Sequence, residues 1–272
     1  MQIMRPNQSV GIFDSGIGGL SVVQHIRDLL PAESLIYVSD RAHLPYGTKD
    51  KQFILDRTVH ITDFLMQQNV KAIVIACNTA TAIAVADLRR TLPIPIIGME
   101  PGLKPAAARS HNGLIGVLAT EGTLDSGKFK RLMHQHANSA EVIICPCHGW
   151  VEAIEHDGLN NTHTIELVEQ QLQPILDKGV DTLVLGCTHY PFVRDIIQRV
   201  AGESVTIIDT GLAVAKHLQK RLAEEGILST NQVPGSESYW CSAPTEKTRE
   251  LIEKLQGKSC VINSLPIAVN ND

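Results

Sequence analysis

Two cysteines in this chain share one setting. Cys77 closes the run Val70-Lys-Ala-Ile-Val-Ile-Ala-Cys77 and precedes Asn78 and Thr79, while Cys187 closes Val180-Asp-Thr-Leu-Val-Leu-Gly-Cys187 and precedes Thr188 and His189. Each hydrophobic run ends in a small residue, then a thiol, then amide, hydroxyl or imidazole side chains. Each also lies downstream of a glycine-led run with a polar tip. Gly11-Ile-Phe-Asp14-Ser15 opens 66 positions before Cys77, and Gly116-Val-Leu-Ala-Thr120 opens 71 before Cys187. A thiol has a reference pKa of about 8.5, which cations and helix N-termini lower. It therefore serves as a base near neutral pH, and its conjugate acid can return the proton. Two similar half-chains, each presenting one thiol at a strand's carboxyl end, predict a pseudo-symmetric site with two acid–base groups. Chemistry that needs the same group on opposite faces of one substrate is racemisation.

Other residues extend these two foci. Asp14-Ser15 opens a glycine-rich strand-to-helix turn, where a carboxylate can bind an ammonium group or orient a thiol. That turn matches neither the dinucleotide fingerprint nor a phosphate-binding P-loop. His189, two positions after Cys187, is placed to assist it. Asp40 sits just past another strand end, and Pro45-Tyr46-Gly47 forms a turn that can aim backbone N–H groups. Glu152 and Glu155 lie three apart on one helical face, for which a solvated surface is the equal alternative. Cys145-Pro-Cys147-His148 offers three metal donors in four residues without a fourth, so no metal is expected. Cys241 and Cys260 have no partner pattern, and a small buried hydrophobe is the ordinary role of a cysteine. A pyridoxal cofactor is not expected, because neither repeated strand end carries a lysine. Lys71 stands at the strand's start.

Strand-length apolar runs alternate with segments of helical period. Val10–Phe13, Leu35–Val38, Ala72–Ala76 and Ile94–Gly98 read as strands, with helices over Leu20–Leu30, Phe53–Gln67 and Thr81–Leu92. The pattern resumes with Ile115–Leu118, Glu141–Ile144, Thr182–Leu185 and Thr206–Ile208. This alternation predicts an α/β fold of parallel sheets covered on both faces. A chain of 272 residues suggests two domains. The boundaries fall at Gly98–Pro105 and Asp209–Gly211, giving a first domain of 1–98 plus 211–272 and a second of 99–210. With 43% hydrophobic residues, a net charge of −5 and no charged run, neither nucleic acid nor membrane is an expected partner. Residues Met1 to Ser9 lack the apolar core of a signal peptide. Six cysteines without a disulfide-framework spacing suit a reduced, cytoplasmic setting.

The motifs Phe13-Asp-Ser-Gly-Ile-Gly-Gly-Leu20, Asp40 with Leu44-Pro-Tyr-Gly47, Ala76-Cys-Asn-Thr-Ala80, Gly116-Val-Leu-Ala-Thr-Glu-Gly-Thr123 and Leu185-Gly-Cys-Thr-His-Tyr-Pro191 occur in this order. With them the chain resembles glutamate racemases of the aspartate/glutamate racemase superfamily, from Val10 to about Leu222. The resemblance implies two pseudo-symmetric, doubly wound parallel-sheet domains with the active site in the cleft between them. It implies cofactor-independent interconversion of L- and D-glutamate, supplying D-glutamate for bacterial peptidoglycan and so for cell shape. A racemase of another amino acid such as aspartate, or a related isomerase, is the alternative. By the same resemblance Cys77 takes the α-proton of D-glutamate and Cys187 that of L-glutamate. Asp14 and His189 assist the thiols, and Glu155 joins the catalytic set. Asp14, Ser15, Pro45, Tyr46, Gly47, Asn78, Thr79, Thr120, Thr188 and His189 bind the substrate. The resemblance leaves room for a homodimer. Some relatives with longer N-terminal sequence need a peptidoglycan precursor as activator, and the nine residues before the first strand point away from that mode. His43, Ser39 and the Cys145-Pro-Cys147-His148 segment depart from the family pattern.

Overall fold

Strands that are apolar on both sides belong in parallel sheets sandwiched by helices, and the structure is built that way. The computed structural model describes residues 4–136, 140–156, 158–159 and 161–266. Ten strands occur among them: β1 Val10–Asp14, β2 Leu35–Ser39, β3 Ala72–Ile75, β4 Ile96–Gly98, β5 Leu114–Ala119, β6 Glu141–Pro146, β7 Thr182–Leu185, β8 Thr206–Ile208, β9 Glu237–Cys241 and β10 Ile262–Ser264. The chain divides into two compact units, Met1–Met99 with Gly211–Asp272, and Glu100–Thr210.

The first unit holds a six-stranded sheet in the order β10-β9-β2-β1-β3-β4, with every pairing parallel. The second holds a four-stranded parallel sheet in the order β6-β5-β7-β8. Within each, the first four strands of the unit run second, first, third, fourth across the sheet. The sequence repeat is therefore a repeat of topology. In such an order the connections leave the first strand in opposite directions, so its carboxyl end and that of the third strand flank the point where open sheets bind ligands. Asp14 ends β1 and Cys77 follows β3. Thr120 follows β5, and Cys187 follows β7.

Every residue of β1, β2, β3 and β7 is buried, and each fully enclosed Val, Ile or Phe side chain contributes roughly 1.5–3 kcal/mol. In the first unit, helices Lys51–Gln67 and Asn78–Thr91 pack together over Phe13, Ile73 and Ile75. Helices Leu20–Leu29 and Gly211–Glu224 form another packed pair. In the second, Leu103, Ala106 and Phe129 cover Ile115, Val117 and Val184.

The structure adds to the sequence expectation at several points. β9 and β10 extend the first sheet beyond β2, although neither was expected as a strand. The helix after Cys77 begins at Asn78 rather than Thr81, because Cys77 itself is its N-cap. The preceding one begins at Lys51 rather than Phe53, since Asp50 accepts a hydrogen bond from the Gln52 amide at 2.8 Å. β4 begins at Ile96, not Ile94. Among the described residues no helix is long and apolar enough to cross a membrane.

Candidate active site

The first focus forms where β1 and β3 end side by side. Asp14 is fully buried, and its Oδ1 accepts from the Ser15 amide at 2.6 Å and the Ser15 hydroxyl at 3.2 Å. The Ser15 Oγ lies 3.7 Å from the Cys77 Sγ. Cys77 sulfur in turn accepts from the Ala80 amide at 3.4 Å. Its place at the start of the helix Asn78–Thr91 puts the positive end of the helix dipole behind it, which favours negative charge on sulfur. Gly19 allows this corner to close, because a Cβ there would stand 2.8 Å from Asp14 Cβ and 3.0 Å from the Tyr37 ring. The sequence placed Cys77 at the mouth rather than in the core. The structure finds its side chain in contact with the core cluster, with 5% of its surface exposed.

Next to Cys77, Asn78 is 4% exposed, and neither its amide nitrogen nor its oxygen has a hydrogen-bond partner. A buried amide without partners costs about 1–3 kcal/mol, so this side chain is placed for a polar ligand. Thr79 is also buried here.

Tyr46 packs its ring on Phe13 and donates its hydroxyl to Asp40 Oδ2 at 2.7 Å. Arg57 grips the same carboxylate through two bonds of 2.9 and 2.8 Å, and His43 Nδ1 meets Oδ1 at 2.9 Å. Burial pushes the Asp40 carboxyl up, but the bonds from Arg57 and Tyr46 outweigh it and hold it below the ordinary carboxylate range. Burial and the Asp40 charge push the Tyr46 phenol far up. Tyr46 is thus a neutral donor committed to Asp40, and the half-buried Pro45 and Gly47 flank it. Spacing gave no signal for Arg57, seventeen residues from Asp40.

The second focus forms where β5 and β7 end. The Gly186 amide donates to Leu118 O at 2.7 Å, and a Cβ at Gly186 would meet Ala119 Cβ at 2.8 Å and Leu118 O at 3.0 Å. Only glycine lets the chain reach Cys187 by this route. Cys187 Sγ lies 3.8 Å from His189 Nδ1, and His189 Nε2 lies 2.8 Å from Glu155 Oε1. Burial pushes the His189 imidazole down, yet its bonds to Cys187 and Glu155, reinforced by their charges, carry it well above its ordinary value. A cationic imidazole held between a sulfur and a carboxylate is the arrangement of a nucleophile, its base and an orienting group. Of the two glutamates equal in sequence, Glu155 is buried and reaches His189, while Glu152 stays half-exposed. Thr188 is buried beside Cys187. Thr120 is half-buried and caps the short helix Glu121–Leu124, its Oγ1 accepting from the Thr123 amide at 3.4 Å.

Lys71 stands at the opposite end of β3 from Cys77. Its ammonium pairs with Glu33 at 2.6 Å and donates to the carbonyls of Pro6 and Ile227.

Each focus therefore joins a thiol to a carboxylate through an intermediary, Ser15 in one and His189 in the other. Repeated parallel sheets, each with a thiol just after its third strand in chain order, suit an amino-acid isomerase. A family model described as Asp/Glu/Hydantoin racemase matches residues 11–218, and the chain belongs to that family. It is 51% identical to the glutamate racemase of Methylococcus capsulatus, over 87% of this chain and 88% of that one. Its structure is similar to that of glutamate racemase isoform RacE1 from Bacillus anthracis, with a TM-score of 0.89 and 31% identity over 98% of this chain and 100% of the other. It is also similar to the glutamate racemase of Francisella tularensis in complex with D-glutamate, with a TM-score of 0.83 and 31% identity over the same shares.

Proposed function

We propose that this chain interconverts L- and D-glutamate without a cofactor, and that Cys77 and Cys187 act on opposite faces of the α-carbon. The observation that carries the reading is the pair of equivalent foci, a buried thiol after the third strand of each sheet with a carboxylate behind it. The relatives' names supply the substrate. The Asp/Glu/hydantoin scope of the family model keeps aspartate as the second reading.

In one direction Cys187 removes the α-proton of L-glutamate and Cys77 delivers a proton to the other face. In the reverse direction the roles exchange. His189, cationic between Cys187 and Glu155, orients the sulfur it faces. Asp14 orients Ser15, whose hydroxyl reaches the Cys77 sulfur. The carbanionic charge is held on the substrate carboxylate, which needs donors aimed at it. The unpartnered amide of Asn78, with Thr79, Thr120 and Thr188, supplies them. Tyr46, already spent on Asp40, contributes through the turn Pro45–Gly47 rather than through its hydroxyl. D-glutamate made in this way supplies cell-wall peptidoglycan, and a reduced cytoplasmic setting suits free thiols.

Circular dichroism of the purified chain with L-glutamate tests the reading. The signal should decay to zero, and should do so equally from D-glutamate. Inversion of aspartate but not glutamate would move the substrate assignment to the second reading. Binding without any loss of optical signal would remove the activity.

A further inference from the structure

Cys145 and Cys147 take no part in the proposed reaction, yet they lie at the carboxyl end of the same sheet as Cys187. Their sulfurs are 3.8 Å apart with the Cys147 thiol donating to Cys145, and both side chains are buried. The Cys147 amide donates to Ala119 O at 3.1 Å, which fixes the pair beside the end of β5. Tyr190 links them to the active-site focus. It follows His189 directly, is fully buried and packs on Trp150 at 5.0 Å, with its hydroxyl facing the Cys147 thiol. Charge on either Cys147 or Cys187 is felt at that hydroxyl. The hydrogen bond from Cys147 holds the Cys145 thiol below its ordinary value, whereas burial drives Cys147 up. The two thiols thus divide into an attacking sulfur and a protonated partner. Among the described residues no group of three metal-binding side chains includes them, so a dithiol is the better reading than a metal centre.

We propose that Cys145 and Cys147 are a modification site, closed by peroxide into a reversible disulfide that slows the reaction at Cys187 through Tyr190. The Cys145 sulfur attacks one peroxide oxygen, the O–O bond breaks, and a sulfenic acid forms. The Cys147 sulfur then displaces that oxygen from Cys145, and the S–S bond replaces the S–O bond. The two thiol protons leave with the two oxygens, which together with the peroxide hydrogens make two waters. The thiols give up two electrons and the peroxide gains them. A disulfide needs an S–S distance of about 2.05 Å, against 3.8 Å between these sulfurs, so closure moves the Cys147 sulfur. The Tyr190 hydroxyl, next to His189, then faces a disulfide in place of a thiol.

The turnover half of this inference rests on the racemase reading, and the thiol half does not. The full chain is treated with one equivalent of hydrogen peroxide in the presence of glutamate, which shields the substrate-facing thiols. It is then freed of ligand, alkylated, digested and mapped by mass. The expected peptide carrying Cys145 and Cys147 is lighter by two hydrogens and unalkylated, while Cys77 and Cys187 are alkylated. Turnover should fall severalfold, and a dithiol reductant should restore it. Cys145→Ser and, independently, Cys147→Ser should keep basal turnover and hold it through the same treatment. Both thiols remaining alkylatable, or a Cys147–Cys187 cross-link, would overturn the site. A Cys145–Cys147 disulfide with unchanged turnover would overturn the switch. The thiol map is read without reference to turnover, so failure of the substrate assignment is told apart from failure of this proposal.

Discussion

His189 and Glu155 form a buried ion pair, with Nε2 2.8 Å from Oε1 and both side chains almost wholly enclosed. Burial alone would leave the imidazole neutral. Its bonds and charges from Cys187 and Glu155 reverse that and keep it protonated. Glu155→Gln should therefore lower kcat in both directions on the order of 10²-fold, with KM changed far less, because Glu155 acts through His189. The raised imidazole value also fixes a sign for stability. Its contribution is fully present below about pH 6.5, the ordinary value for histidine, and is lost as pH rises through the elevated folded value. The melting temperature of the parent should exceed that of Glu155→Gln most near neutral pH, with the gap closing in alkali. A gap that widens as pH rises above neutral would contradict the ion pair.

Gly186→Ala probes how the backbone presents Cys187. The new Cβ would meet Leu118 O at 3.0 Å, and a strand carbonyl cannot swing aside as a side chain does. Overpacking of this kind costs about 1–3 kcal/mol. Turnover should fall by more than that stability loss accounts for, since Cys187 moves with its neighbour. A destabilised but fully active variant would show that the site tolerates displacement of this strand end.

The strands that carry the site were legible because each is apolar on both faces: Gly11-Ile-Phe and Ala72-Ile-Val-Ile leave no solvated side. β9 was not, because Glu237-Ser-Tyr-Trp-Cys241 mixes half-buried and buried positions, and β10 is three residues at the sheet edge. The cysteines and their polar neighbours could be read from the repeat. The choice of Glu155 over Glu152 could not, since both share a helical face and only the position of His189 separates them. The Arg57–Asp40–Tyr46 cluster was equally hidden, being assembled by the packing of the helix Lys51–Gln67 rather than by spacing. The loose amide of Asn78 is visible only once every neighbour has been placed.

The Asp40 cluster yields a prediction of its own. Arg57→Met leaves a fully buried carboxylate without its bidentate partner, a loss on the order of 3 kcal/mol. Denaturant midpoints at neutral pH should show it. Asp40 has a depressed value, so its contribution is present above about pH 4, the ordinary aspartate value, and is lost as pH falls through the folded value. The difference between parent and variant should shrink in acid. Affinity for glutamate should weaken as well, because Tyr46 loses the anchor that sets the Pro45–Gly47 turn. Equal stability of the two proteins at neutral pH would mean that Tyr46 and His43 alone satisfy Asp40.

The two-thiol assignment is tested by the origin of the proton that enters the product. If Cys187 takes the proton from L-glutamate and Cys77 supplies another, the incoming proton comes from a thiol equilibrated with solvent. In deuterated water the first D-glutamate formed should then carry deuterium at the α-carbon. The unreacted L-glutamate should stay largely protiated at early times, because the thiol that removed its proton seldom returns one to the same face. A single base serving both faces would hand back the original proton, and early D-glutamate would retain much of its protium. That result would sink the two-base reading. Single replacements give the second arm. Cys77→Ser and Cys187→Ser should each lower racemisation on the order of 10²–10⁴-fold in both directions, since each thiol is the base one way and the acid the other. Exchange without inversion distinguishes them further: Cys77→Ser should still wash solvent deuterium into L-glutamate through Cys187, and Cys187→Ser should do the same for D-glutamate through Cys77. A variant of either cysteine that racemises at nearly the parental rate would return that cysteine to the core it borders.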